Sequence, residues 1–218
     1  MNAARALFLA ASLALSVGGA ATLTRGLAVP VKARVAQHRL GQQFEARLAA
    51  NVAEAAETEA APAASPSMAA SKKAASPAKA RIAAPLPVTG PIARISVDRL
   101  GVEDIVLAGA ATHEQLALGP TMLKRGDAAS PVTVLAAHRD THFLFIRDLR
   151  EGDEVTVRYV TGEAERYRVT RFETVRWDAF AYPLDPARPL LALSTCYPFG
   201  GTEYGGPWRR VAWAERIA

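Results

Sequence analysis

The side chain in this sequence best equipped for covalent chemistry is Cys196, the only cysteine in 218 residues. A lone thiol cannot close an internal disulfide, so it is a buried filler, an intermolecular bridge or a nucleophile. It ends the apolar run Leu191-Ala192-Leu193. Ser194 and Thr195 interrupt that run just before it, and Pro198, Gly200 and Gly201 stop it just after. This pattern places Cys196 at a strand end, within reach of solvent and substrate. Upstream, the strand-length run Val132–Ala137 ends in the polar cluster His138-Arg139-Asp140-Thr141. Two strands that each deliver one reactive group at their ends can form a thiol and imidazole pair. Downstream, Gly205-Gly206-Pro207 leads into a third strand that opens with Trp208-Arg209-Arg210. Successive strand residues face opposite sides, so only one of the two arginines can share the side of Cys196.

Each group suits one step of acyl transfer. A free thiol with a pKa near 8.5 is only about 3% thiolate at pH 7, so it needs a proton acceptor or a neighbouring cation. An imidazole, with its intrinsic pKa of about 6.5, can protonate a departing amine and deprotonate an incoming one. A guanidinium is never a base, but its fixed donors fit an oxyanion or a substrate carbonyl. Tyr197 and Phe199, just past the cysteine, are placed to line a groove, and the Thr195 hydroxyl to orient the arginine or the substrate. His138 and His142 have the H-x-x-x-H spacing of a zinc site. However, Val132–Ala137 reads as a strand, and Arg139 stands where that motif needs glutamate. No metal or cofactor is expected. His38 and His113 fall outside any constellation and read as surface residues, while Trp208 and Trp213 read as barrel packing.

The elements that must position these groups are short and numerous. Strand-like segments cover Ile92–Val97, Val102–Leu107, Val132–Ala137, Glu154–Val160, Glu165–Val175, Leu190–Thr195 and Trp208–Ala214, most of them bounded by Gly, Pro or Asp. Helical signal in this region is confined to a start at Thr112–Leu116 and a turn or two over Phe143–Leu149. Seven or eight strands between Ile92 and Ala218 predict an all-β domain with short helices, closed into a barrel that leaves no exposed edges.

The N-terminal part is of another kind. Ala6 to Thr24 is an uncharged stretch of nineteen residues, about 28 Å long as a helix and enough to cross a bilayer core. It reads as an uncleaved signal anchor over residues 1–25, the competing reading being a signal peptide cleaved near Gly18-Gly19-Ala20. The charges around it do not favour export of the C-terminal part, since Arg25, Lys32 and Arg34 follow the span and only Arg5 precedes it. From Val31 to about Thr58, Val35, Leu40, Phe44, Leu48 and Val52 recur at helical spacing, predicting an amphipathic stalk. Ala60 to Pro87 is rich in Ala, Pro, Ser and Lys and reads as a flexible spacer. The organisation is thus an anchor at 1–25, a stalk and linker at 26–90, and a folded domain at 91–218. The formal charge of +5 and pI near 9.7 suit a basic surface facing an anionic envelope. No run of Lys and Arg interleaved with aromatics supports nucleic-acid binding.

The three motifs together resemble those of sortases, cysteine transpeptidases, of the type found in Gram-negative proteobacteria with class D-like motifs. Leu193-Ser194-Thr195-Cys196 is similar to the family's Leu-x-Thr-Cys signature, Ala137–Thr141 to its histidine motif, and Arg209 to its arginine. Leu107–Ala110 and Leu118–Pro120 are similar to its early strand and loop. Ala192 departs from the threonine often found there. The family register, an arginine followed by a bulky and then a branched residue, favours Arg209 over Arg210. The resemblance, from about Ile92 to the C-terminus, implies a sortase barrel with Cys196 as nucleophile, His138 as acid and base, and Arg209 as carbonyl or oxyanion donor. It implies cleavage of a C-terminal sorting signal on an exported protein, a thioacyl intermediate and transfer to an amine acceptor. It also implies an inner-membrane anchor with the catalytic domain in the periplasm. Two rival expectations are a cysteine hydrolase on the same residues and an L,D-transpeptidase-like peptidoglycan enzyme. The latter's cysteine lies in a Ser-x-Gly-Cys context, unlike Ser194-Thr195-Cys196.

Overall fold

The computed structural model describes residues 32–56, 90–201 and 205–217. Eight strands close into a barrel: β1 (Pro91–Val97), β2 (Val102–Ala108), β3 (Thr121–Lys124), β4 (Val132–Ala136), β5 (Glu154–Tyr159), β6 (Ala164–Arg176), β7 (Leu190–Tyr197) and β8 (Trp208–Ile217). Around the barrel they run β1-β2-β3-β4-β7-β8-β6-β5, with β1 pairing back onto β5. Helix α1 covers residues 32–56, and the short α2 (His113–Leu118) is capped by the Thr112 hydroxyl, which accepts the Gln115 N–H.

Alternation along the strands creates two apolar faces. Leu135, Leu191, Leu193, Ala212 and Ala214 point into the barrel with Ile95, Val106 and Val157. Val132, Val134, Ala192, Val211 and Trp213 point outward into a second cluster. Phe180 and Tyr182, from the segment between β6 and β7, pack against that outer cluster, with Phe180 stacked on Trp213 at 6.1 Å. Burial on both faces explains why β4, β7 and β8 read as continuous apolar runs rather than as alternating ones.

The barrel expectation holds, and the eighth strand is β3, which the sequence reading missed. Thr121-Met122-Leu123-Lys124 is only four residues long and carries weak strand propensity. It pairs in parallel with β2 through two residue pairs only, Leu107 with Thr121 and Ala108 with Met122. The backbone of Ile105 lies beyond that short ladder, and α1 completes it. Gln37 accepts the Ile105 N–H at 2.6 Å and donates to the Ile105 and Leu118 carbonyls at 3.3 and 2.8 Å. Gly119 permits this approach, since a Cβ there would lie 2.7 Å from the Ile105 carbonyl oxygen.

Residues 32–56 form a helix, as expected, but of its predicted apolar positions Phe44 is buried, Leu40 and Leu48 are half-buried, and Val35 and Val52 are exposed. Phe44 is fully buried, beneath the Arg94 guanidinium at 4.8 Å. Arg94 also pairs with Glu45 at 2.6 Å. Asn51 donates to the Val160 carbonyl at 2.8 Å, and Arg47 to that of Pro91 at 3.3 Å. The face docked on the barrel is set by Gln37, Phe44, Arg47 and Asn51. The span expected over 1–25 and the spacer over 60–87 lie outside the described residues. Among the described residues no helix is long and apolar enough to cross a membrane.

Candidate active site

The barrel order makes β4, β7 and β8 consecutive neighbours, so the three motifs lie side by side. β4 and β7 run parallel with Ala136 level with Ser194. His138 comes two residues after that last paired residue, just past the end of β4. β7 and β8 run antiparallel, and Cys196 is the direct Cα partner of Arg209. Cys196 and Arg209 therefore form a cross-strand pair, and His138 stands at the same end of the sheet, at the start of the turn that follows β4. By alternation Cys196 follows Ala192, and Arg209 precedes Val211 and Trp213, all on the outward face. Each of the three is half-buried at the margin of the outer cluster. Arg210, the partner of Thr195, lies on the opposite face, its guanidinium 4.9 Å above the Phe172 ring and donating to Thr174 at 3.3 Å.

Beyond the last ladder residue of β4, other bonds hold the chain in register. The Ala137 N–H donates to the Ser194 carbonyl at 3.3 Å. The Thr195 hydroxyl, buried, donates to the Ala137 carbonyl at 2.8 Å. Expected to orient substrate or arginine, Thr195 here lies on the face opposite Cys196 and fixes the backbone just before His138. After His138, the Phe143 N–H returns to the His138 carbonyl at 3.0 Å, and Phe143, Phe145, Ile146 and Leu149 sink into the barrel core. The histidine is thus held from both sides, and Arg139 ties its turn to the Gly201 carbonyl at 2.6 Å.

The electrostatics of His138 differ from those of a solvated imidazole. Burial, the largest cause, pushes its pKa below the ordinary histidine value, so its neutral form persists to lower pH. Its Nε2 lies 3.4 Å from the His113 carbonyl, and the two imidazoles meet edge to face with centroids 4.8 Å apart. His113 is exposed, as expected, but it is not outside the constellation. The sequence held no signal for this contact, which joins residues 25 positions apart. His142 is a different case: it is buried and its Nδ1 faces the Asp104 carboxylate at 3.2 Å. His142 lies in the turn after β4, so the H-x-x-x-H spacing is not helical here.

Arg209 donates to the Gly206 and Trp208 carbonyls at 2.7 and 2.9 Å, which folds its guanidinium back along the entry to β8. Tyr197 and Phe199 form an edge-to-face pair at 5.9 Å beyond the nucleophile, with Phe199 leaning on the barrel core. Trp213 is buried and donates to Glu173 at 3.0 Å, as packing requires. Trp208 departs from the packing expectation, being 44% exposed. It is the first residue of β8, opposite Tyr197 of β7 and Arg176 of β6. The arrangement offers a thiol beside an arginine on the next strand, with an imidazole at the same end of the sheet. Nucleophilic attack on a carbonyl is the chemistry this order of groups serves.

Comparison with known proteins agrees with this reading. The family model described as the sortase domain matches residues 95–217, over half of the chain. No curated protein matches. Sortase C from Clostridium perfringens SM101 is 20% identical with a TM-score of 0.51, covering 60% of this chain and 72% of its own. A pilus-related sortase C of Group B Streptococcus is 25% identical with a TM-score of 0.51, covering 59% and 68%. A lid mutant of sortase A from Corynebacterium diphtheriae is 22% identical with a TM-score of 0.50, covering 58% and 70%.

Proposed function

Because the chain belongs to the sortase family, we propose that it is a membrane-anchored cysteine transpeptidase of the exported envelope, close to the class D type of Gram-negative bacteria. Its substrate is an exported protein with a C-terminal sorting signal. The observation that carries this reading is the cross-strand pair Cys196 and Arg209, with His138 just past the end of the adjacent β4 at the same end of the sheet.

The Cys196 sulfur attacks the scissile carbonyl carbon, and the carbonyl electrons move onto the oxygen. Arg209, swung from the Gly206 and Trp208 carbonyls, donates to that oxyanion. As the oxyanion collapses, the C–N bond breaks, and His138 gives the departing amine its proton. A thioester to Cys196 remains. The acceptor amine attacks it, His138 takes the amine's proton, and the thiolate leaves as the new amide forms. Neutral His138, favoured by its burial, is the form able to take up the thiol proton at the start. Phe199 packs against the inner cluster, so the groove for the sorting signal is bounded on the outer face, beside the cluster that Phe180 covers.

Hydrolysis uses the same residues with water in place of the amine. Incubating the enzyme and a sorting-signal peptide with and without an added amine separates the two. A product carrying the amine supports transpeptidation, and free acid alone under both conditions supports a hydrolase. For the membrane anchor and periplasmic placement, a reporter fused after residue 90 should be active only in the periplasm.

A further inference from the structure

His113 lies against His138, yet no sequence motif contains it. It opens α2, which follows β2, and it reaches His138 in two ways. A backbone carbonyl can only accept a hydrogen bond, so its 3.4 Å contact with His138 Nε2 is a hydrogen bond only in the form that carries a proton on that nitrogen. In the neutral imidazole, that leaves Nδ1 as the nitrogen with the lone pair. The His113 ring, edge to face at 4.8 Å, restricts rotation of the His138 ring about its own bond.

We propose that His113 is a positioning residue for His138: its carbonyl selects the Nε2–H tautomer and its ring holds the imidazole in the orientation used for proton transfer. This rests on the transpeptidase reading for its consequence in turnover, but not for the tautomer. The two rings are also a pair of like titratable groups. A proton on His113 opposes one on His138, in addition to the larger effect of burial and against the opposing effect of the carbonyl bond. The other charged or titratable groups around His138 are Asp140, His142 and Arg139 on its own turn, and Cys196 and Arg209 across the sheet. Asp140 favours its protonation and His142 opposes it.

The test is imidazole 15N NMR on the full chain, with wild type, His113→Phe and His113→Ala. In wild type, neutral His138 should show the Nε2–H pattern; a dominant Nδ1–H form overturns the assignment. His113→Phe keeps an aromatic ring and the carbonyl but removes the charge. The tautomer should persist, and the His138 titration midpoint should move up. An unmoved midpoint shows that the rings are not coupled. In turnover, His113→Ala should lower kcat about tenfold with KM little changed, through loss of orientation, and His113→Phe should recover most of it. Equal rates in wild type and His113→Ala, or equal losses in both variants, contradict the positioning role. Because the NMR results do not depend on turnover, an inactive wild-type protein would count against the transpeptidase reading alone.

Discussion

Cys196 and Arg209 are direct partners across the β7/β8 ladder, so their side chains leave the sheet on the same face and next to each other. The adjacent Arg210 is the partner of Thr195 and leaves on the other face. Two neighbouring arginines with the same charge thus have different surroundings. One lies beside a thiol, and the other lies over the Phe172 ring.

Substituting lysine separates the two. Arg209→Lys keeps a charge but loses the planar fork, and should lower the acylation rate by about 10²-fold, the usual effect of removing one oxyanion donor. Arg210→Lys should change that rate by less than about threefold, as expected away from the reacting groups. Stopped-flow acylation with a sorting-signal peptide measures both. A larger loss at 210 would reverse the assignment.

Cys196→Ala should abolish turnover while leaving the barrel intact. The side chain is small, half-buried and outside both apolar clusters, so its removal should cost less than about 1 kcal/mol. Activity should fall about 10³-fold or more, since nothing else in the site can form the acyl intermediate. Calorimetry and mass spectrometry of the trapped acyl-enzyme check the two halves separately. Full activity in the variant would end the enzyme reading.

The two histidines of the β4 turn should separate activity from stability. His138→Ala should cost about 10²- to 10⁴-fold in rate, the range for a general acid and base, with little change in Tm. His142→Ala should mainly cost stability, by about 1–3 kcal/mol, because Asp104 points into the barrel and loses its partner. Rates and thermal unfolding measured on both variants test this. A greater loss of rate at 142 would mean that the wrong histidine has been chosen.

What the sequence made legible follows the range of the interactions. Cys196 and His138 each end an apolar run at a polar break, a local pattern, and alternation over Trp208–Ala214 reduced the arginine choice to a register. Seven strands carried their own propensity. What stayed hidden depends on distant partners. The Thr195 hydroxyl meets the carbonyl of Ala137, 58 residues away, a partner that no local pattern shows. Gln37 has no sequence signal for mending the Ile105 backbone 68 residues on. Periodicity in α1 predicted a helix. It did not show which of its residues dock on the barrel.

Acid should weaken the fold through Asp153. Its carboxylate accepts two bonds from Arg99, at 2.5 and 2.6 Å, and the Arg150 N–H at 2.7 Å. The Arg99 bond, the largest cause, holds its pKa below the usual carboxylate value. The unfolded chain therefore binds more protons in acid, and the stabilisation is complete above the unfolded pKa of about 3.9. It is lost as pH falls through the lower folded value. Asp153→Asn should lower Tm at pH 7, and its deficit relative to wild type should shrink below pH 4. A deficit that stays constant into strong acid would show that the Arg99 pair does not contribute in this way.

The docked helix changes where the chain can be cut. From sequence alone, removal of residues 1–90 should leave an active, soluble domain, because neither a membrane span nor a spacer shares the core. The structure moves that boundary toward the N-terminus, since α1 contributes a fully buried Phe44 and supplies Gln37 to the unpaired backbone of β2. Deleting residues 1–31 should leave Tm unchanged relative to the full chain. Deleting 1–90 should lower it and uncover the barrel surface on which α1 is docked. Phe44→Ala in the longer fragment should reproduce much of that loss, at about 3 kcal/mol for a buried phenylalanine. Gln37→Ala should add a smaller cost of about 1–2 kcal/mol for the Ile105 groups left unpaired. Thermal unfolding of the two fragments and the two variants checks each value. Equal stability of the fragments starting at 32 and at 91 would mean that α1 rests on the barrel without supporting it.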